Sequence, residues 1–422
     1  MGMNNDLHTD VVVVGGGVAG LTAAQLLRRA GHHVTLIDAA DPGGRARVDR
    51  RGDVLFNRGP RALYLGGDAH RLLRALDVPL SGGPPSTEAF ARRGDLVGEL
   101  PAGAVSLART PLLRARGKAA IARFMAAFGR VRADELGDET FGAWLDGRGL
   151  PDDAHEVVEM LSRVATYANA PDVASADMVV AQMQRAFRDG VRYLDGGWQT
   201  IVDALARGLV LERGAVESVV DDGGSIRVVR ADGVDVCARA CVLAVGTPDT
   251  AVRLLARPAF SVGPPVEAAC LELATSVAPK RALLFGLDRP LYLSTHSNAA
   301  RLAPDGVHVV HVARYLAPDE QHDPAAARAE LEAHAVCAGL TSATTLDARY
   351  LHRMTVAGGL AIARTGGLRG RPSVDDAAVP GVFLAGDWVG PTGHLLDAAM
   401  ASAEVAAGRA ARAVGRATLT AR

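Results

Sequence analysis

A chain of 422 residues is too long for one ordinary hydrophobic core, so two domains are expected. Its net charge of −1 gives no general attraction to nucleic acid or to an anionic membrane, and aromatic residues at 4% offer few platforms for stacking bases. The 49% apolar and 22% charged composition is that of a globular protein, and no apolar run approaches the roughly 18–20 residues of a spanning helix.

The four cysteines, Cys237, Cys241, Cys270 and Cys337, form no C-x-x-C pair and no zinc spacing. They read as reduced thiols, and no metal site is expected. The N-terminus carries no basic-then-apolar leader before the first strand, which favours a cytoplasmic protein.

Val11–Val14 is a short β-branched run, as expected of a buried parallel strand. Gly15-Gly16-Gly17-Val18-Ala19-Gly20 follows at once and places G-x-G-x-x-G at Gly15, Gly17 and Gly20. Helix-forming residues run from Leu21 to Arg29, Gly31 supplies a stop, and a second apolar segment, Val34–Ile37, ends in Asp38. Gly15 permits a tight turn, Gly17 lets a pyrophosphate approach the backbone, and Gly20 lets the helix pack closely on the strand. The helix N-terminus offers free N–H groups to the anion. Asp38 can accept hydrogen bonds from a ribose and would repel a 2′-phosphate. Strand, turn, helix, strand and acid in register predict an ADP-containing dinucleotide, with NADP disfavoured.

Asp41-Pro42-Gly43-Gly44-Arg45 and Asn57-Arg58-Gly59-Pro60-Arg61 are glycine-rich loops with fixed guanidinium groups. Such loops suit phosphate and flavin-edge contacts, or plain surface turns. After a break at Ser81–Pro85 the chain reads as mostly helical to about Gly190. There, Ala108–Val131 mixes Arg109, Arg114, Arg116, Lys118, Arg123 and Arg130 with Leu112, Leu113, Ile121, Phe124, Met125 and Phe128. The pattern suits an ordinary half-buried helix or one lying on a membrane surface. Leu194–Trp198 introduces a helix at Thr200–Arg207. Short strands are predicted at Leu209–Leu211, Val216–Val220, Ile226–Arg230, Val234–Cys237 and Ala240–Val245, and again at Ala282–Phe285 and Val307–Val312. Val382–Ala385 is a buried strand running into Gly386-Asp387-Trp388. Leu395–Val414 is a long Ala-rich helix after the Pro391–His394 turn.

The fingerprint, Gly43-Gly44-Arg45, the Gly196-Gly197 turn before the Val216 strand, and the closing Ala385-Gly386-Asp387-Trp388 together resemble the flavin-dependent amine oxidase and phytoene desaturase superfamily. Phe56–Tyr64 and Gly386–Trp388 are most similar to its carotenoid and squalene-type desaturase branch. The resemblance implies an α/β fold with a Rossmann-like FAD-binding domain assembled from discontinuous segments, residues 1–85, 191–252 and 351–422. It pairs this with a mixed α/β substrate domain, residues 86–190 and 253–350. It implies FAD, with Gly15, Gly17, Val18, Ala19 and Gly20 at the pyrophosphate and Asp38 at the adenosine ribose. Gly43, Gly44 and Arg45 would lie along the phosphates and Val216 at adenine. Gly59, Pro60 and Arg61 would border the isoalloxazine, and Gly386 and Asp387 the ribityl–phosphate region. Leu395 and the N–H of Leu396 would face the flavin, the latter at its C2 carbonyl.

Leu395 stands where amine oxidases of this group carry an aromatic residue, and no second cage tyrosine stands out, so an apolar substrate face is expected. The expected activity is removal of a hydride from a C–H bond of a hydrophobic, terpenoid- or carotenoid-like molecule, with oxygen or a quinone as electron acceptor. Oxidation of an amine or amino acid, redox-neutral isomerisation, and a flavin-binding scaffold without activity are the competing readings. His394, Trp388 and Arg61 are candidate catalytic or flavin-tuning residues, each also readable as an ordinary turn, core or surface residue. Lys280, Tyr292, His296 and His311 fall in the substrate region. No nucleic-acid partner is expected, the Ala108–Val131 stretch allows peripheral membrane contact, and the oligomeric state is left open.

Overall fold

The computed structural model describes residues 6–420. Its first sheet is built around Leu7–Val14, whose four valines are almost wholly inaccessible. Val34–Asp38 and Val236–Leu243 flank it in parallel, and Val14 lies opposite both Ile37 and Leu243. Val210–Arg213 adds a parallel strand beyond Val34–Asp38, and Val382–Leu384 runs parallel to the end of Val236–Leu243. An antiparallel hairpin, Val216–Asp221 with Ile226–Arg230, completes the sheet. All the parallel strands finish on one edge, where open α/β sheets bind ligands. The helices Val18–Arg29 and Leu395–Thr420 pack together and share the sheet's hydrophobic core.

Two predicted strands, Val234–Cys237 and Ala240–Val245, are one continuous strand. Ala238 is paired on both sides, with Thr9 and with Ile226, so the polar-looking middle is held in the ladder.

The second sheet orders its strands as Thr345–Ala357, Val266–Thr275, His308–Tyr315, Leu291–Thr295, Leu283–Gly286, Phe90–Arg93 and Leu96–Glu99. The last two form a hairpin at the start of a region expected to be mostly helical. Gly94, with φ +56°, makes the turn, and Leu283–Gly286 accepts the hairpin in parallel. Behind one face lies the helix Pro324–Cys337 over an aliphatic cluster that includes Leu271, Leu293 and Val312. The other face meets helices drawn from residues 115–189.

Within that helical region Leu112, Leu113, Ile121, Phe124 and Phe128 are buried, the two phenylalanines edge-on to Trp144. The apolar side of the Ala108–Val131 stretch therefore belongs to the core. Its outer side keeps Arg109, Arg114, Arg116, Arg123 and Arg130 exposed, beside the exposed Met125. No helix among the described residues is long and apolar enough to cross a membrane, and no group of three or more His, Cys, Asp or Glu side chains there could hold a metal ion.

Burial holds the imidazoles of His334 and His394 down at about 4, and that of His296 well below its ordinary value. The unfolded chain takes up protons on these rings near pH 6.5, whereas the native chain does not. The contribution of His334 and His394 to stability is complete above that pH and is lost as pH falls from about 6.5 to about 4; that of His296 is lost in the same direction. His334→Gln, which keeps a donor for the Leu284 carbonyl, should flatten this slope in denaturant titrations across that window. An unchanged slope would contradict the neutral, buried assignment.

Candidate cofactor and active site

At the edge of the first sheet Gly15 has φ +107°, and a Cβ there would strike the Ala244 carbonyl. A Cβ on Gly20 would drive into the Gly15 carbonyl oxygen, so strand and helix touch only because both residues lack side chains. Gly17 is different. A Cβ there meets no protein atom within 4 Å and would enter a cavity of about 920 Å³. Asp38 accepts from the Gly16 N–H at 2.5 Å and from the Ala40 N–H at 2.8 Å. Its own carbonyl accepts from the Gly214 N–H, bringing Val216 to the same end of the cavity.

Farther along, Gly43 donates to the Gly16 carbonyl at 2.7 Å, and Arg45 reaches Asp387 at 2.8 Å. Arg371, almost fully buried, donates to the carbonyls of Asp387, Thr392 and Gly393 at 3.0–3.1 Å and so fixes the loop ahead of the last helix. Burial lowers its guanidinium to about 10. Leu395 opens that helix at φ +53°, and the first-turn N–H groups that follow have no intrahelical carbonyl to meet. Asp397 accepts from the Ala69 N–H at 2.8 Å and from Arg185 at 2.7 Å; burial raises its carboxyl against the pull of Arg185.

The remaining wall is formed largely by Pro60, Arg61, Tyr64, Tyr167, Met354 and Leu395. Tyr64 donates to the Ala165 carbonyl at 2.7 Å and Tyr167 to the Pro60 carbonyl at 3.2 Å; burial pushes both phenols up. Arg61 donates to the carbonyls of Arg45 and Arg58, lies 5.6 Å from the Trp198 ring, and is lowered by burial. His394 Nε2 lies 2.9 Å from the Thr166 carbonyl. A carbonyl only accepts, so the ring proton sits on Nε2 and the neutral Nδ1 carries a lone pair. Nδ1 of His394, Nε of Arg61 and Nε1 of Trp198 are all buried without a protein partner, and all three side chains line this cavity. Buried polar atoms without partners are rare. Two donors and one acceptor, with an open glycine cradle, fit a ligand that carries phosphates and a ring with both carbonyl and N–H edges, as FAD does.

The structure thus brings to one cavity Gly15, Gly17, Val18, Ala19, Asp38, Gly43, Gly44, Arg45, Pro60, Arg61, Val216, Gly386, Asp387, His394, Leu395 and Leu396. Gly20 and Gly59 stand behind its wall. Trp388, a candidate catalytic or flavin-tuning residue, is not among the residues that line it. Its side chain is fully buried against Phe260, with Nε1 3.5 Å from the Val245 carbonyl. Lys280 is exposed beside Gly339, Tyr292 and His311 are buried in the second sheet, and His296 is buried in the turn after Leu291–Thr295. Tyr167 and Arg371 were missed as site residues. Tyr167 sits at the end of a helix with φ +61°, outside any glycine-rich motif, whereas Arg371 closes the run Gly366-Gly367-Leu368-Arg369-Gly370, a signal that could have pointed to it. The wall is consequently less poor in aromatic side chains than the sequence suggests.

Residues 13–77 match the NAD(P)-binding Rossmann-like domain family. An L-amino-acid oxidase of Crotalus adamanteus is 46% identical over 65 residues, 15% of this chain and 12% of that oxidase. AofH of Mycobacterium tuberculosis, named as a flavin-containing monoamine oxidase, is 31% identical over 253 residues, 53% of this chain and 54% of its own length. The chain therefore spans about an eighth of the first relative and about half of the second. A putrescine oxidase solved with putrescine has the same fold, with a TM-score of 0.74 over 96% of this chain and 99% of that one at 16% identity.

The glycine geometry separates two effects. Gly17→Ala should leave thermal stability unchanged while weakening dinucleotide binding about tenfold or more, because its methyl enters the cavity. Gly20→Ala should cost about 1–3 kcal/mol of stability by overpacking. Thermal melts with and without FAD distinguish the two; equal destabilisation by both variants would contradict the placement of Gly17.

Proposed function

We propose that this chain, a member of the flavin amine oxidase superfamily, is an FAD-dependent oxidoreductase that oxidises a C–H bond of an uncharged, largely apolar substrate. The observation that carries the substrate class is the pairing of the acids. Asp49 is taken by Arg58 and Arg349, Asp387 by Arg45, and Asp397 by Arg185. A charged ammonium entering beside Leu351, Met354 and Leu395 would lose its hydration and gain no free counter-charge.

Bound FAD supplies the acceptor for the hydride. The chain supplies the rest. The backbone of Gly15–Gly20 would hold the diphosphate, Asp38 the adenosine ribose, and Arg45 with Asp387 the region between phosphates and ring. The N–H groups at Leu395 and Leu396, at the helix start that lines the cavity, would favour negative charge on a ring bound there. Tyr64, Tyr167, Met354 and Leu395 exclude water. His394 stays neutral at physiological pH and keeps one acceptor, Nδ1, for a hydrogen bond or for a proton released with the hydride.

A hydrophobic terpenoid-like substrate is the first reading, supported by the absence, among the described residues, of a free counter-charge beside Leu351, Met354 and Leu395. An amine or amino acid taken in its uncharged form is the second reading, favoured by the likeness to AofH and by the two wall tyrosines. Anaerobic mixing of the FAD-loaded protein with each class decides. Bleaching of the oxidised-flavin absorbance by a hydrocarbon substrate is expected; bleaching by amines alone would overturn the substrate class. Product without net bleaching would indicate isomerisation, and inertness towards every class a flavin-binding scaffold.

An apolar substrate is most concentrated in a bilayer. The exposed Arg109, Arg114, Arg116, Arg123 and Arg130 make an outer surface suited to anionic lipid. Flotation with anionic vesicles should occur and be lost on charge reversal at Arg114, Arg116 and Arg123. Flotation that survives the reversal, or that never occurs, would remove the membrane contact.

A further inference from the structure

We infer that Glu272 is a positioning residue, which holds the Arg58–Arg61 turn against the ring end of the cavity; the consequence for the flavin rests on the cofactor reading above. On the second sheet Ser294 lies opposite His311, His311 opposite Glu272, and Glu272 opposite Arg349, so four polar side chains form one transverse row across four strands. Two residues along, the corresponding row is Tyr292, Ala313, Cys270 and Leu351. The sheet's opposite face is aliphatic. An ionic row buried beside a few neutral polar groups, the His296 ring and the Tyr193 hydroxyl, is not needed for burial, since apolar side chains of similar volume usually serve stability as well or better.

The row ends at the cavity wall. Glu272, wholly inaccessible, accepts from the Gly59 N–H at 2.7 Å and from Arg349 Nε at 2.6 Å, with His311 Nε2 at 3.2 Å. Burial alone would raise its carboxyl, but His311, Arg349 and the Gly59 N–H outweigh this and keep it below the usual range. Arg349 continues to Asp49, which is held by two guanidinium nitrogens of Arg58 at 3.0 Å each. Arg58 and Gly59 are consecutive left-handed residues, φ +55° and +92°, and a Cβ on Gly59 would collide with the end of Met354. This turn has no regular backbone ladder to keep it, and Glu272 supplies the acceptor for its buried N–H. From the turn the geometry passes on: the Arg58 carbonyl takes Arg61, and the Pro60 carbonyl takes Tyr167. Moving Gly59 therefore moves both wall residues.

Glu272→Asp keeps the charge and shortens the reach to Gly59. Glu272→Gln keeps an acceptor and removes the charge. Both, loaded with FAD, should bind through the glycine end. The Asp variant is expected to change the visible circular dichroism of bound flavin. The Gln variant is expected to shift the ratio of reduced to oxidised flavin at fixed potential about tenfold towards reduced, equivalent to about 30 mV. His334→Gln, in the aliphatic cluster of the opposite face, should move neither signal. Loaded variants with wild-type dichroism and potential would overturn the proposal. If neither variant folds, hydrogen exchange of the unmodified protein decides: a protected Gly59 amide supports the proposal, and a freely exchanging one overturns it. Failure of the unmodified protein to take up any flavin would remove the cofactor reading alone, because the exchange of Gly59 is measured without FAD.

Discussion

The structure depends on the double pairing of one strand. Val236–Leu243 is hydrogen-bonded in parallel to Leu7–Val14 on one side and to Val382–Leu384 on the other. This brings the ends of two distant strands to one edge, so that Gly15 and Gly386 line the same cavity. Each of those ends feeds a loop and then a helix, Val18–Arg29 in one case and Leu395–Thr420 in the other, and the two helices pack together. The cavity thus receives unpaired backbone N–H groups from two helix starts. That arrangement favours anionic and electron-rich groups without requiring a single lysine there.

Charge in the cavity wall is managed by arginine. Asp49, Asp387 and Asp397 would each be costly to bury alone, and each has a guanidinium within hydrogen-bond reach. Arg61 and Arg371 are the converse, buried cations held by backbone carbonyls rather than by carboxylates. The site is therefore polar in its fastening and apolar in much of its lining.

The first sheet was largely legible because its signals are local. The valine run, the three glycines and Asp38 lie within one βαβ unit, and Val382–Leu384 is a short apolar strand leading into Gly-Asp. The second sheet was legible only in part: the predicted Ala282–Phe285 and Val307–Val312 correspond to the strands Leu283–Gly286 and His308–Tyr315, and its other strands were not read. Val266–Thr275 is buried along almost its whole length, so it shows no alternation, while Thr345–Ala357 carries Asp347, Arg349 and Arg353 and reads as surface. Phe90–Arg93 and Leu96–Glu99 owe their strand state to the neighbour they join. Of the two readings of Trp388, its position next to Asp387 could not choose, because it says nothing about which way an indole turns. Glu272 and Arg349 are far apart in sequence, and only strand register makes them neighbours.

The residues around Gly15 and those around Leu396 that line one cavity are far apart in sequence. A ribosome must therefore complete the polypeptide through Leu396 before any cavity exists to receive a ligand. Until then the middle strand, Val236–Leu243, lacks one of its parallel partners, and its buried edge stays open to pairing with another chain. The cavity is therefore closed late in synthesis, and the open edge of Val236–Leu243 is a place for mispairing in the interval before Val382–Leu384 arrives.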